Sequence, residues 1–229
     1  MADSPVLSIG FLLFPGVTQL DLTGPYEVLV RAPGAQVHLI WKQIAPVTSD
    51  RGLAILPTVT LEECPALDVI CVPGGPGQID LMEDDEVLNF LRQKAKEVKL
   101  VTSVCTGSLV LGAAGLLQGY KATTHWGSLD QLALLGAQPV EARVVHDGNR
   151  ISGAGVTSGI DFALTVVAGL YGEAVAQEIQ LQLEYDPAPP FNSGSPRSAA
   201  PELLQAVRLK QAAFIEKRRQ ATQRAAEKL

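Results

Sequence analysis

The chain has 229 residues, 47% of them hydrophobic, so it is long enough to bury the core of one α/β domain. Its formal net charge of −6 argues against a nucleic-acid partner, because phosphate binding requires clustered Lys and Arg, and no apolar run reaches the ~18 residues of a membrane-spanning helix. There is no basic-then-apolar signal segment, and the three cysteines lack metal-ligand spacing, so we expect a reduced cytoplasmic protein without a metal site.

The N-terminal part of the chain alternates strand-like and helix-like patterns. Residues 6–14 are almost continuously apolar, which is typical of a strand buried on both faces. Residues 20–31 predict a helix with a candidate break at Gly24-Pro25. A second strand is predicted over 36–42, and the Gly- and Pro-punctuated segment 47–61 predicts a hairpin.

The same alternation continues toward the C-terminus. Buried strands are predicted over 68–73 and 100–104, followed by helices over 84–98 and 106–117. Shorter strands and longer helices complete the pattern. They are strands at 122–124, 143–145 and 151–153, a helix over 160–183 that is either single or divided near 169–172, and a final helix over 201–229.

Strands that alternate with helices predict an α/β fold with a mostly parallel central sheet and helices on both faces. Active sites of such sheets lie beyond the carboxyl ends of the strands. We expect residues 1–185 to form this domain. Residues 186–229 then form a Pro/Ser-rich loop and an accessory helix, for which a packing role is favoured over a binding role.

One cysteine occupies a sharp corner between a strand and a helix. The segment Ser103-Val104-Cys105-Thr106-Gly107 has small residues around a nucleophile, the pattern of a nucleophile elbow. A thiol at a helix start is favoured as a thiolate, so we expect Cys105 to be exposed and ionised. The alternative is a buried structural cysteine, and we prefer that interpretation for Cys64 and Cys71.

A nucleophile also needs donors for developing negative charge. The backbone N–H of Thr106 follows the cysteine, and the N–H of Gly75 follows the preceding buried strand. Both lie at strand carboxyl ends and could converge on one oxyanion. The alternative for residues 74–77 is a plain flexible turn.

Few other side chains could assist the thiol. Of the three histidines, His38 and His146 are expected to be structural or solvated, whereas His125, beside Trp126, either lines the pocket or is a polar neighbour of it. Asp21 lies in an apolar neighbourhood just after the first strand. Burial would raise its pKa and let it exchange a proton with the thiol or substrate, although a helix N-cap is an equal alternative.

Several short motifs occur in an order that resembles the ThiJ/PfpI superfamily, over residues 6–185. They are Asp21-Leu22-Thr23-Gly24-Pro25 with Glu27, Val72-Pro73-Gly74-Gly75, Ser103–Gly107, Thr123-Thr124-His125-Trp126, Ser158-Gly159-Ile160-Asp161 and Glu184-Tyr185-Asp186-Pro187.

The resemblance implies a flavodoxin-like, class I glutamine amidotransferase-like fold with a nucleophile elbow. It implies that Cys105 is the nucleophile, that Asp21 is its acidic partner where many relatives carry Glu, and that Thr106 is the residue after the nucleophile. It also implies a homodimer that uses no cofactor. In detail the motifs are most similar to those of members that hydrate isonitriles.

Three departures separate the chain from other branches of the superfamily. Glutamine amidotransferases use a distal histidine, and this chain has none after His146. Protease-like relatives carry His where this chain has Thr106. Transcription-factor relatives append two helix-turn-helix units, and only one helix's worth of chain follows the linker here.

We therefore expect an enzyme that hydrates isonitriles to N-substituted formamides through a thioimidate on Cys105. Ile79, His125, Trp126 and Thr157 are expected to line its apolar pocket. Glyoxalase or deglycase chemistry on 2-oxoaldehydes is one alternative. A non-enzymatic redox sensor or stress protein is another, because an exposed thiolate oxidises selectively. A ligand-sensing domain without its DNA-binding half is a weaker one.

Overall fold

The computed structural model describes residues 7–229. Val6, the first residue of the predicted first strand, and residues 1–5 of the predicted domain lie outside the described residues. The strands are β1 (Leu7–Leu12), β2 (Ala35–Trp41), β3 (Val47–Thr48), β4 (Ala54–Ile55), β5 (Val59–Thr60), β6 (Val69–Val72), β7 (Leu100–Val104), β8 (Lys121–Ala122), β9 (Gln138–Pro139), β10 (Val144–Asp147) and β11 (Arg150–Gly153). The helices are α1 (Gln19–Leu29), α2 (Gln78–Leu81), α3 (Asp85–Lys94), α4 (Gly107–Ala113), α5 (Gln131–Leu134), α6 (Ser158–Tyr171), α7 (Glu173–Gln182) and α8 (Pro201–Ala226), with a 3₁₀ helix at Trp126–Ser128.

Seven strands form the central sheet, in the order β10-β11-β7-β6-β1-β2-β5. All neighbours run parallel except β10, which pairs antiparallel with β11. Both α4 and α6 pack on β7. Helix α4 also contacts α2, α3, α5 and α8, whereas α6 contacts α1 and α7, so the two helices belong to different layers. Helices therefore cover both faces, and the predicted fold class is confirmed.

Tertiary packing overrides the predicted break in the first helix. α1 continues through Pro25, although proline removes a helical hydrogen-bond donor. Helix α6 crosses at this point, because a Cβ on Gly159 would stand 2.8 Å from Pro25 Cδ. The close contact between the two helices holds α1 in one piece.

Other predicted bounds differ where a glycine or a strand partner intervenes. Only β3 and β4 form the hairpin predicted over 47–61, since β5 joins the central sheet beside β2. Strand β8 pairs with β9 in a separate two-stranded sheet. The helix predicted over 106–117 ends at Ala113, two residues before Gly115 adopts a φ of +74°. The helix predicted over 160–183 is divided at Gly172 into α6 and α7.

The final helix packs on the rest of the fold through its C-terminal half. Its buried residues are Arg218, Ala221, Thr222 and Ala225, and it contacts α2, α4 and α5. Thr222 Oγ1 donates to Gln131 Oε1 at 2.9 Å. The division of the chain at residue 185 stays a prediction. Within residues 7–229, no helix combines the length and apolarity that a membrane crossing requires.

The division between α6 and α7 yields a matched pair of glycine substitutions. Gly172 has φ 88° and ψ 161°, a conformation open essentially to glycine alone, and a Cβ there would meet nothing within 4 Å. Gly172→Ala should therefore lower the free energy of unfolding by about 1–3 kcal/mol through backbone strain alone. Gly169→Ala is the control, because its Cβ also enters open space but lies in regular helix, where alanine is favoured by roughly 1 kcal/mol. Chemical denaturation of both variants checks this, and equal effects would contradict the strain argument.

Candidate active site

The corner after β7 has the strained geometry of a nucleophile elbow. Cys105 has a φ of 54°, which is uncommon for a residue with a side chain. Its N–H donates to Gly153 O at 3.0 Å, and its carbonyl accepts from Thr124 Oγ1 at 2.9 Å. A Cβ on Gly107 would overlap the Val72 carbonyl oxygen, so only glycine lets α4 begin this close to β6. The bonds at both ends of Cys105 hold the strained conformation in place.

The expected exposed thiolate is wrong. Cys105 is 5% exposed, and burial raises the pKa of its thiol well above the ordinary value, with the charge of Asp21 acting in the same direction. The N–H of Thr106 and the charge of Arg218 lower this pKa, but by less. Burial dominates because α4 has only seven residues and offsets little of the desolvation.

Asp21 is an internal carboxyl group next to this thiol. It is the third residue of α1 and fully buried, so the N-cap alternative is wrong; Thr18 holds that position. Asp21 Oδ2 accepts from the Gly74 N–H at 3.0 Å, whereas Oδ1 has no hydrogen bond of ordinary geometry within residues 7–229. Burial raises the pKa of Asp21 to about 7, although interactions with the Cys105 thiol and the Gly74 N–H lower it. The two acids thus hold a shared proton near neutral pH.

Two glycines bring the carboxyl group and the elbow together. A Cβ on Gly74 would stand 2.5 Å from Thr106 N, 2.7 Å from Thr106 Oγ1 and 2.8 Å from Asp21 Oδ2. Gly75 has a φ of +131°, and its N–H donates to Thr106 Oγ1 at 3.2 Å. The predicted free donor at Gly75 is therefore occupied, because the Thr106 hydroxyl accepts from it. The Thr106 hydroxyl hydrogen and its backbone N–H remain the donors beside Cys105.

A cavity of about 310 Å³ reaches Thr124, next to the elbow in space, while Cys105, Asp21 and Thr106 are not among its lining residues. Thr124, which holds the Cys105 carbonyl, lines it together with the predicted residues His125, Trp126 and Thr157. Ile79 is buried in α2 and is not among the residues that line this cavity, so its role as a lining residue of the substrate pocket stays a prediction. Ile79 lies in the short helix α2, which follows Gly77 and contacts α4 and α8.

His125 is a wall of the cavity rather than a base. Its Nδ1 accepts from the Gly127 N–H at 3.2 Å, and its ring lies 5.5 Å from that of Trp126. Burial, followed by the charge of Arg218, lowers the pKa of His125 to about 4, so the ring is neutral near pH 7. His38 and His146 lie on β2 and β10, outside the cavity wall.

Two motifs of the family resemblance meet at the rim of the cavity. Asp161 Oδ2 accepts from Arg143 Nε and from the Tyr185 hydroxyl, each at 2.8 Å. Arg143 Nη2 also donates to the Thr157 carbonyl at 3.0 Å. The network therefore positions the loop that precedes α6. The sequence shows both motifs but not the contact between them, which joins residues 24 positions apart.

Sequence reasoning also missed contributions from residues 186–229. Four linker residues, Gly194 to Arg197, line the cavity, and Arg197 pairs with Glu141 at 3.5 Å. Arg218 is buried on α8 and acts on Cys105 and His125. The available signal was its helical spacing from Ala221, Thr222 and Ala225, which places an arginine on a small-residue face. No group of three or more His, Cys, Asp and Glu side chains in the described part of the chain could hold a metal ion.

A mostly parallel sheet, a strained cysteine after one of its inner strands and a buried carboxyl group beside the sulfur define a class of α/β proteins built around a cysteine elbow. Residues 7–169 match the model of the DJ-1/PfpI family, and the chain belongs to that family. The predicted resemblance to the ThiJ/PfpI superfamily is confirmed.

Individual relatives extend the similarity over nearly the whole chain. The chain is 59% identical over 223 residues to isonitrile hydratase from Pseudomonas putida, covering 97% of this chain and 98% of that protein. A crystal structure of a ThiJ/PfpI family protein from Pseudomonas syringae superposes with a TM-score of 0.93 at 46% identity, covering 96% of this chain and 92% of the other. A glutathione-independent glyoxalase, DJR-1.2 of Caenorhabditis elegans, is 31% identical over 148 residues, covering 64% of this chain and 78% of that protein.

The raised pKa of Asp21 makes the site destabilising at neutral pH. The carboxyl group has an ordinary pKa of 3.8 and a pKa of about 7 in the fold, so folding favours its protonated form. That stability is present at low pH and is lost as the pH rises from 3.8 to about 7. Asp21→Asn keeps an acceptor for the Gly74 N–H without the charge. It should raise the free energy of unfolding above neutral pH by an amount on the order of 4 kcal/mol.

Denaturation across this pH range measures the difference between Asp21→Asn and the parent, which should grow up to a pH of about 7 and then level off. Asp80→Asn, which removes an exposed carboxyl group on α2, is the matched control for the substitution itself. A constant difference at every pH would show that Asp21 is not a buried acid.

Proposed function

We propose that this chain hydrates isonitriles, R–NC, to N-substituted formamides, with Cys105 as the nucleophile and Asp21 as the acid that moves protons. The observation that carries the proposal is the buried pair of Cys105 and Asp21 at a strained elbow, in a chain similar over almost its full length to an isonitrile hydratase. Such an enzyme is a lyase that forms and breaks a carbon–sulfur bond.

The first step forms the covalent intermediate. The pair carries one proton, and the reactive arrangement places it on Asp21 and leaves the sulfur as thiolate. The thiolate attacks the terminal isonitrile carbon, and the Asp21 proton passes to that carbon as its negative charge develops. The product is a thioimidate, R–N=CH–S–Cys105. Asp21 is then an unprotonated carboxylate, so it is ready to accept a proton.

The second step adds water. Asp21 takes a proton from a water molecule as the oxygen bonds to the thioimidate carbon, and it passes that proton to the substrate nitrogen. The hydroxyl group of the tetrahedral intermediate then returns a proton to Asp21 while the carbon–sulfur bond breaks. N-substituted formamide leaves, and the thiolate and the protonated acid are restored. Every atom of the product comes from the isonitrile and one water molecule.

Donors at the elbow stabilise the charge that develops. The Thr106 N–H already acts on the sulfur, and the Thr106 hydroxyl accepts from Gly75, so its own hydrogen can point to substrate or Asp21. A donor of this kind is worth about 2.7–4 kcal/mol in other enzymes. Gly75 acts through Thr106 in this arrangement, so that its N–H fixes the hydroxyl.

The cavity suits a small, largely apolar substrate. Its volume of about 310 Å³ lies at the lower end of the usual range for ligand sites, and Trp126, Leu129 and Val156 supply apolar surface. Alkyl and aryl isonitriles are neutral and need few polar contacts. The reaction as drawn uses protein groups and water. A cytoplasmic homodimer is part of this proposal.

Glyoxalase chemistry on 2-oxoaldehydes is the second candidate. The similarity to a nematode glyoxalase favours it, but that similarity has 31% identity and covers 64% of this chain. Formation of lactate from methylglyoxal, without isonitrile turnover, would replace the first proposal with this one. The redox-sensor alternative is less favoured, because Cys105 is buried and its pKa is raised, and selective oxidation follows exposure and thiolate character.

Cys105→Ala should abolish hydration of a para-substituted phenyl isonitrile, because no other thiol lies at the elbow. Cys64→Ala is the matched control, since Cys64 is partly exposed elsewhere and should leave turnover unchanged. Formamide production is followed by chromatography, and mass spectrometry of the parent should find the adduct on Cys105. Near-parental turnover by Cys105→Ala would refute the proposed chemistry.

The shared proton predicts the pH dependence of the reaction. Below a pH of about 7 both acids are protonated, so kcat/KM should rise as the pH increases through that value. It should stay high above it, because the pKa of Cys105 is raised well above the ordinary value and the pair retains one proton. Initial-rate measurements across pH test this prediction, and a rate that falls through neutral pH would contradict it.

A further inference from the structure

The C-terminal helix α8 carries a buried cation, Arg218. Arg218 is 6% exposed, and its Nη1 donates to Ser128 Oγ at 2.9 Å. Its guanidinium lies over the Phe214 ring, 4.7 Å from the centroid. Arg218 Nε has no hydrogen-bond partner within residues 7–229, and none of the ion pairs there includes Arg218.

A structural role alone does not account for this arginine. Burying a charge without a carboxylate is unfavourable, and burial lowers the pKa of Arg218. An apolar side chain of similar length at a buried charged position is often neutral or stabilising. The neighbours Ala221 and Ala225 show that this face of α8 otherwise packs through small side chains. A compensating interaction is therefore expected nearby.

Hydrogen bonds of the segment 124–128 connect Arg218 at one end and the elbow at the other. The Ser128 that accepts from Arg218 donates its own N–H to the His125 carbonyl at 2.9 Å. His125 follows Thr124, whose hydroxyl donates to the Cys105 carbonyl. Helix α8 also packs against α4, the helix that starts at the elbow. The guanidinium is thus held on the same side of the fold as the catalytic sulfur.

Among the charged and titratable neighbours of Arg218, one group can carry a negative charge that the guanidinium stabilises. Arg218 acts on two side chains, His125 and Cys105, and the pKa of each is lowered by it. His125 is neutral and cannot become an anion. Asp21, from α1, is the other charged group acting on Cys105, and Asp50 acts on Asp21 in turn. Cys105 is therefore the group whose anion Arg218 can stabilise.

We propose that Arg218 is a positioning residue of the active site, which stabilises the Cys105 thiolate from the C-terminal helix through its buried positive charge. It acts at a distance, without touching the sulfur or the substrate, and it opposes the effect of Asp21. The helix that the sequence marked as accessory then completes the reaction centre. This inference rests on the proposed role of Cys105 as the nucleophile.

The test measures thiolate formation directly, without an isonitrile. Full-length protein is treated with iodoacetamide across pH, and peptide mass spectrometry follows alkylation at Cys105. The reagent is neutral, so removing a cation does not change its attraction to the site. Arg218→Met and Arg218→Gln should raise the pH midpoint by about one unit, a roughly tenfold slower alkylation below the midpoint.

Two controls separate charge from shape. Arg218→Lys retains the charge and should keep a midpoint close to that of the parent. Arg219→Met removes the adjacent arginine, which pairs with Asp130 near the surface, and should not shift the midpoint. A merely structural Arg218 would change thermal stability in the variants but leave all midpoints equal.

Folded Arg218→Met or Arg218→Gln protein with the parental midpoint would overturn the proposal. Should neither variant fold, Arg218→Ala decides, because it removes the charge and leaves a small side chain like those of Ala221 and Ala225; a parental midpoint there overturns the proposal as well. The outcome is separable from that of the hydration proposal. An Arg218-dependent midpoint without isonitrile turnover refutes hydration alone, and turnover with equal midpoints refutes the role of Arg218 alone.

Discussion

One proton shared between two buried acids is the constraint on which the rest of the site depends. The Cys105 thiol and the Asp21 carboxyl are both removed from water, and burial raises the pKa of each. Neither can ionise independently, because a second negative charge in the same interior is unfavourable. The glycine at position 74 exists to allow this approach, since any side chain there would collide with Asp21 and Thr106. In the proposed reaction, Asp21 and Cys105 therefore act as one unit, in which the proton moves between acid and nucleophile.

The order of strands explains how residues far apart in the chain meet. Strands β7, β6 and β1 are neighbours in the sheet, and their carboxyl ends carry Cys105, the Gly74–Gly75 turn and the entry to α1 with Asp21. On the other side of β7 lies β11, whose end leads into the loop that lines the cavity. Cys105 therefore lies between the strand that leads to Asp21 and the strand that leads to the cavity loop. This follows from the general rule that parallel sheets place their sites at strand carboxyl ends.

The linker and helix α8, which follow residue 185, contribute to the surroundings of the elbow and the cavity. The linker forms one wall of the cavity, and Tyr185 ties the end of the preceding helix to the Asp161 and Arg143 network. Helix α8 carries the buried Arg218 and packs on α4 beside the elbow. The model of the DJ-1/PfpI family matches residues 7–169, so these contributions lie beyond the part of the chain that the family model describes. They distinguish this chain's site from one built on the α/β domain alone.

The alternating fold, the elbow at Cys105, the candidates Asp21 and Thr106 and the family could all be predicted from the sequence, because apolar runs, small residues around a nucleophile and ordered motifs are local signals. The sequence could not decide exposure, pKa or distance. The sequence predicts an exposed Cys105, which is buried in the fold, and a free donor at Gly75, which the Thr106 hydroxyl occupies. The sequence does not reveal the role of Arg218, since its burial depends on contacts of α8 with residues 90 and 91 positions earlier, Arg218 with Ser128 and Thr222 with Gln131. Burial, which sets the energy of every charge in the site, arises only when distant segments pack together, and so the tertiary structure alone decided it.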